Sequence, residues 1–164
     1  MELSPKNFEF FERKTPNIFE KLIREQGDDT CQQKIGVDYI TSKLKEYDFG
    51  FIRASAKAQM GQRKTRKTTH QMYSFVLCKL LPNALFKNVD IVLVCSRPTS
   101  KDGKQLLELV ASKAKDIQYQ CLTLIAVGNT RLLHWYESQG FVMETSKPII
   151  GTDSYAYYMR KILV

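Results

Sequence analysis

No stretch of this 164-residue chain approaches the roughly 18 consecutive apolar residues that a membrane-spanning helix needs. The N-terminus, Met1 to Lys6, also lacks the charged-then-apolar layout of a secretory signal. The expectation is a soluble intracellular protein, cytoplasmic or nuclear, with no membrane partner. Histidine is scarce, with His70 and His134 alone, and the four cysteines, Cys31, Cys78, Cys95 and Cys121, are scattered without a Cys-x-x-Cys pair. Zinc sites need such ligands at short, fixed spacings, so no metal is expected. Three of the cysteines lie in apolar, strand-like runs, which reads as reduced, buried thiols. No repeat, linker or low-complexity segment divides the chain, and its length suffices to bury a core unaided. A single domain over 1–164 is expected.

Charge is unbalanced, at +8 with a pI near 9.3. Such a chain is drawn to polyanions at low salt, without selecting one. Much of the excess falls between Lys57 and His70, where Lys57, Arg63, Lys64, Arg66 and Lys67 occur without an acidic residue. A polyanion contact through Lys57–His70 is one reading. The plainer one is a solvated hairpin tip, because Gly61 and its polar neighbours suit a turn and no interleaved aromatics are present to stack on bases.

Phe8 to Arg13 has strand character, and Pro16 stands where a helix would begin, with Ile18, Phe19, Leu22 and Ile23 as its apolar face. Ile35, Tyr39, Ile40 and Leu44 fall in helical register and predict a second helix from about Cys31 to Tyr47. Phe49 to Ala58 and Met72 to Leu81 read as a long antiparallel hairpin. Val89 to Cys95 and Cys121 to Val127 are nearly continuous apolar runs, as expected of strands buried on both faces. Between them, Arg97 to Lys104 is a loop of turn formers opening into a helix with the stripe Leu106, Leu107, Val110, Ala114 and Ile117. Strand, helix, strand makes a parallel unit. Phe141–Glu144 and Tyr155–Leu163 would close the chain as an antiparallel pair. The fold class is α/β with a mixed sheet.

The stretch Asn129 to Phe141 reads as one amphipathic helix. Leu132, Leu133 and Tyr136 share a face, Gly140 supplies the stop, and Asn129 is a candidate N-cap. Asn129 and Tyr136, seven residues apart, point nearly the same way, about 10 Å from each other at ~1.5 Å per residue.

A buried strand, a Gly- and Lys-containing loop opening a helix, a second strand, and a helix ending Trp135-Tyr-Glu-Ser-Gln-Gly-Phe141 together resemble the GCN5-related N-acetyltransferase (GNAT) family. Its element order is strand, helix, helix, three strands, helix, strand, helix, two strands, the order recovered above. The resemblance implies an acyl-CoA N-acyltransferase fold and direct transfer of an acetyl group from acetyl-CoA to a primary amine of a protein or small molecule. It further implies that Asn129 holds an amide of the pantetheine arm and that Tyr136 protonates the departing sulfur of coenzyme A. The oxyanion donor would be a backbone N–H of Leu93, Val94 or Cys95, freed where the two parallel strands splay, and that strand would pair with pantetheine.

The family's phosphate loop runs Gln or Arg, two variable residues, Gly, one variable residue, then Gly or Ala. Two registers are open here: Gly103 as the last small residue with Lys101 at the earlier glycine, Arg97 missing its position by one, or Ser100 at Gln/Arg with Gly103 as first glycine and Gln105 where a small residue belongs. Asp102 would repel a pyrophosphate unless consumed in capping, while Arg97, Lys101 and Lys104 compensate. A lysine-like amine, with a pKa of about 10.4, is rarely neutral near pH 7, so a base is needed. Asp90 is the candidate, since the family often carries an acidic residue near the head of this strand. Cys95 could in principle carry an acyl group, but no histidine stands near it in sequence, and direct transfer is preferred. The alternatives are a degraded module of the same fold that binds nucleic acid or an acidic partner through the hairpin 57–70, and a regulator that binds coenzyme A without turnover.

Overall fold

The computed structural model describes residues 2–3, 8–13, 18–26, 37–60, 66–83, 85–96, 100–128 and 130–163. In chain order the elements are β1 (Glu2–Leu3), β2 (Glu9–Glu12), α1 (Ile18–Gln26), α2 (Val37–Lys43), β3 (Phe49–Met60), β4 (Arg66–Leu81), β5 (Asn88–Cys95), α3 (Asp102–Asp116), β6 (Cys121–Gly128), α4 (Thr130–Ser138), β7 (Val142–Pro148) and β8 (Tyr155–Ile162). Apart from the two-residue β1, this is the order expected from the sequence. The strands form one mixed sheet in the order β1-β3-β4-β5-β6-β8-β7, with β2 also on β3; β5 and β6 are its parallel pair. The second helix is shorter than predicted within the described residues, and 31–36 lie outside them. The β3–β4 hairpin pairs as far as Met60 with Arg66. The side chains of its basic end, on which the polyanion reading turns, lie outside the description.

The sheet buries one core on each face. Toward α3 and α4 lie Val76, Val89, Ile91, Leu106, Val110, Leu122, Leu124, Leu133 and Tyr136; toward α1 and α2 lie Phe11, Phe19, Leu22, Ile40, Ile52, Phe75 and Leu77. The near-continuous apolar character of β5 follows from facing both. One expectation needs correcting. Cys78 and Cys121 are free and buried, but Cys95 is disulfide-bonded. Its side chain packs on the α1/α2 side, whereas Cys78 packs in the opposite core. Spacing along the chain carried no sign of that difference.

At Gly50 in β3 the neighbouring strands β2 and β4 leave no room for a side chain. A methyl group there would overlap the Val76 carbonyl oxygen and the ring of Phe11, which itself stacks on Phe19 at 5.0 Å. Gly50→Ala should therefore cost about 1–3 kcal/mol through overpacking, read as a lower denaturation midpoint at unchanged m-value. An unchanged midpoint would mean that β2 is not held against β3 in this way.

Candidate active site

The parallel ladder between β5 and β6 runs from Asn88 opposite Cys121 to Ile91 opposite Leu124, and stops. A β-bulge accompanies the stop. On its other edge β5 pairs Ile91 with Cys78 and Leu93 with Leu77, so Val92 has no residue opposite it on β4. An extra residue bends its strand and shifts the alternation of side chains beyond it. Val89 and Ile91 accordingly pack toward α3 and α4, while Leu93 and Cys95 pack toward α1 and α2.

Past the bulge β5 stays on β4 and β6 stays on β8. The wedge between β5 and β6 is a cavity of about 660 Å³, walled by Ile91 to Val94, Leu124 to Val127, Leu132 and Tyr136, with Tyr39 of α2 at its side. Alternate residues of strand edges that have lost a neighbour present backbone N–H and C=O groups to the gap, a template for an extended ligand. Leu93 and Val94 line this wedge; Cys95 is the next residue of the same strand.

The stop of α4 fixes Tyr136. Gly140 has a φ of +95°, its N–H donates to the Glu137 carbonyl, and the Phe141 N–H donates to the Tyr136 carbonyl. This left-handed ending favours glycine. Lys161 Nζ donates to the Gln139 carbonyl at 2.8 Å, adding a cation where the helix dipole is negative. The Tyr136 ring meets Trp135 and Phe141 edge-on at 5.0 and 5.8 Å, and burial pushes its phenol up to about 12. The phenol therefore stays protonated throughout the neutral and mildly alkaline range. Asn129 and Arg97 lie outside the described residues.

Lys101 is the N-cap residue of α3, without a side-chain cap, and Asp102 follows it as the first residue of the helix. The Asp102 carboxylate is buried toward the sheet, where it accepts from Arg53 Nη1 at 2.8 Å and from Ser74 Oγ at 2.6 Å; Arg53 Nη2 also donates to Gln105 Oε1 at 3.0 Å. The charge that would repel an anion is thus turned away from the loop and paired. The Asp102 N–H donates to Ser100 Oγ at 3.3 Å, whereas those of Gly103 and Lys104 make no hydrogen bond among the described residues. A Cβ on Gly103 would lie 3.3 Å from Trp135 Cη2 and 3.4 Å from Ser96 Oγ, so a glycine lets the N-terminus of α3 sit against α4. The Lys101 and Lys104 side chains are exposed beside it.

Asp90 lies in a second cavity of about 320 Å³, together with Lys43, Glu46 and Lys79. Tyr39, Ile91, Val92, Ile125 and Val127 line both cavities, which makes them neighbours across the bulge. Burial raises the Asp90 carboxyl above its ordinary value, against the lowering effect of a hydrogen bond from Thr123. Tyr39 was read from the sequence as one apolar position of a helical stripe; its 52% exposure, inside both cavities, was not foreseen. Among the described residues no cluster of metal-ligating side chains is found, and no helix is long and apolar enough to cross a membrane.

Neither a family model nor a curated protein sequence matches the chain. Solved structures do. A GNAT-family protein from Desulfovibrio desulfuricans superposes with a TM-score of 0.64 at 14% identity, covering 96% of this chain and 100% of the other. The ribosomal-protein-S18-alanine N-acetyltransferase of Escherichia coli gives 0.61 at 15%, covering 96% and 94%. An aminoglycoside 6'-N-acetyltransferase complexed with coenzyme A gives 0.62 at 12%, covering 96% and 97%. These likenesses establish that the chain has the GNAT acetyltransferase fold.

Proposed function

We propose that this chain of GNAT fold is an acetyl-CoA-dependent N-acetyltransferase that acts on a primary amine. The single observation that carries the reading is the wedge between β5 and β6, opened at the Val92 bulge and faced by a buried, hydrogen-bearing Tyr136. A cavity of about 660 Å³ is within the usual ~300–1,000 Å³ range for small-molecule sites, and its strand edges match the amides of a pantetheine arm. The N-terminus of α3 with the Gly103 and Lys104 N–H groups, the paired Asp102, and Lys101 and Lys104 alongside, suits a pyrophosphate. Arg97, Ser100 and Asn129 remain candidates for the same ligand. The likeness to proteins whose names specify a ribosomal-protein alanine or an aminoglycoside as acceptor, one of them solved with coenzyme A, supports the same chemistry here.

Acetyl-CoA supplies an activated acetyl thioester. Asp90 takes a proton from the acceptor ammonium, made more basic than an ordinary aspartate by its burial. Backbone N–H groups of the Leu93–Cys95 segment stabilise the oxyanion of the tetrahedral stage. As the C–N bond forms and the C–S bond breaks, Tyr136 donates a hydrogen bond to the sulfur on which negative charge builds, and the second proton lost by the nitrogen goes to the departing thiolate. In water a phenol would not surrender its proton to a thiolate, whose parent thiol lies near 8.5. Inside the same apolar cavity desolvation raises both groups, and a hydrogen bond suffices to stabilise the departing charge. Disulfide-bonded Cys95 has no free thiolate, which favours direct transfer over an acyl-enzyme.

Acetyl-CoA at about a hundred times its Kd should stabilise the fold by ~2.7 kcal/mol, or roughly 5–10 °C in Tm. Thiol release with a panel of primary amines then identifies the acceptor. No stabilisation at millimolar acetyl-CoA would reject this function.

A further inference from the structure

Thr123 is a polar residue in the otherwise apolar β6, and it stands directly opposite Asp90 in the parallel ladder. Its hydroxyl donates to Asp90 Oδ1 at 2.8 Å. The same oxygen accepts from Asn88 Nδ2 at 2.8 Å, and Asn88 is 6% exposed. The direction of these bonds is fixed by chemistry. A hydroxyl has one proton, a carboxylate can only accept, so Thr123 must turn its proton to Asp90 and Asn88 must present its NH₂ to Thr123. The Asn88 Oδ1 is left buried without a partner, a cost that a neutral structural asparagine would avoid by facing an acceptor and a donor at once. Meanwhile Asp90 Oδ2 makes no hydrogen bond among the described residues, and Asp90 lines the cavity shared with Tyr39.

We propose that Asn88 and Thr123 are positioning residues for the base: a one-way relay, amide to hydroxyl to carboxylate, pins Asp90 Oδ1 and leaves Oδ2 as the proton-accepting atom. The inference rests on the reading of Asp90 as base. Donors aligned head to tail polarise each other, so Asn88 acts on Asp90 through the Thr123 oxygen. The charges facing Asp90 are Lys79 on β4, Lys43 on α2 and Glu46 in the turn after it, while Thr123 is its neutral neighbour on β6. Both lysines and the Thr123 bond hold its proton affinity down, against burial and Glu46, which raise it.

The test is a direct carboxyl titration by ¹³C NMR, with Asp90→Asn used to identify the Asp90 signal. Compared with the unaltered protein, Thr123→Val should move the Asp90 midpoint to higher pH, Thr123→Ser should restore it, and Asn88→Ala should fall between. Thr123→Val should also lower kcat about tenfold with little change in KM, as expected of a misaimed base. A midpoint indifferent to Thr123→Val, or a serine variant that behaves like the valine one, overturns the relay. If the midpoints shift in this order but the acidic limb of kcat/KM does not follow, the relay stands and the assignment of Asp90 as base falls.

Discussion

Tyr136→Phe should lower kcat by about 10²–10³-fold while leaving acetyl-CoA affinity within about twofold. The substitution removes one oxygen and keeps the ring that packs on Trp135 and Phe141. Stability should not fall, because among the described residues no hydrogen bond of that phenol is lost. The pH dependence gives a second signature. A phenol held at about 12 does not titrate between pH 6 and 10, so Tyr136 contributes no alkaline limb in that range. The phenylalanine variant should show the same profile shape at a lower plateau. A variant with full activity would place the leaving sulfur elsewhere.

Asp90→Asn should reduce kcat/KM by about 10²–10⁴-fold near pH 7 and remove the acidic limb of the profile. It should also raise Tm. Burial lifts the carboxyl's folded value above 3.8, so folding favours the protonated form. The ionised form is then a burden on the fold, growing as pH rises from the unfolded value through the folded one and full above it. The stability gained by asparagine should be greatest at neutral pH and vanish near pH 3, where aspartate is protonated in both states. Lower stability at pH 7 would mean that the Lys79 and Lys43 charges outweigh desolvation. Loss of activity with gain of stability is the usual mark of a functional group held at a cost.

Much of this was legible in the sequence, and the omissions have physical causes. The 3.6-residue period and the glycine stop of α4 are local, so Tyr136 and Gly140 could be placed without a structure. The apolar runs of β5 and β6 identified a buried parallel pair. The bulge at Val92 was invisible because Val-Asp-Ile-Val-Leu-Val-Cys has no polar alternation for a one-residue slip to disturb. The splay was expected only from the likeness to a family, and the bulge supplies its cause. Asp102 looked like an obstacle to an anion because its partners, Arg53 and Ser74, are 49 and 28 residues away and sequence spacing does not report such pairings. Thr123 did carry a signal, a hydroxyl inside a hydrophobic strand, but its meaning depended on the register that sets it opposite Asp90.

The most direct measurement is hydrogen exchange of the protein with and without saturating acetyl-CoA. If the wedge at Val92 is the acetyl-donor site, amides of 92–95 in β5, 125–127 in β6 and 103–104 at the start of α3 become protected together, while β7 and β8 are unchanged. Absence of protection at millimolar acetyl-CoA, or protection that leaves the β5–β6 wedge untouched, would contradict it.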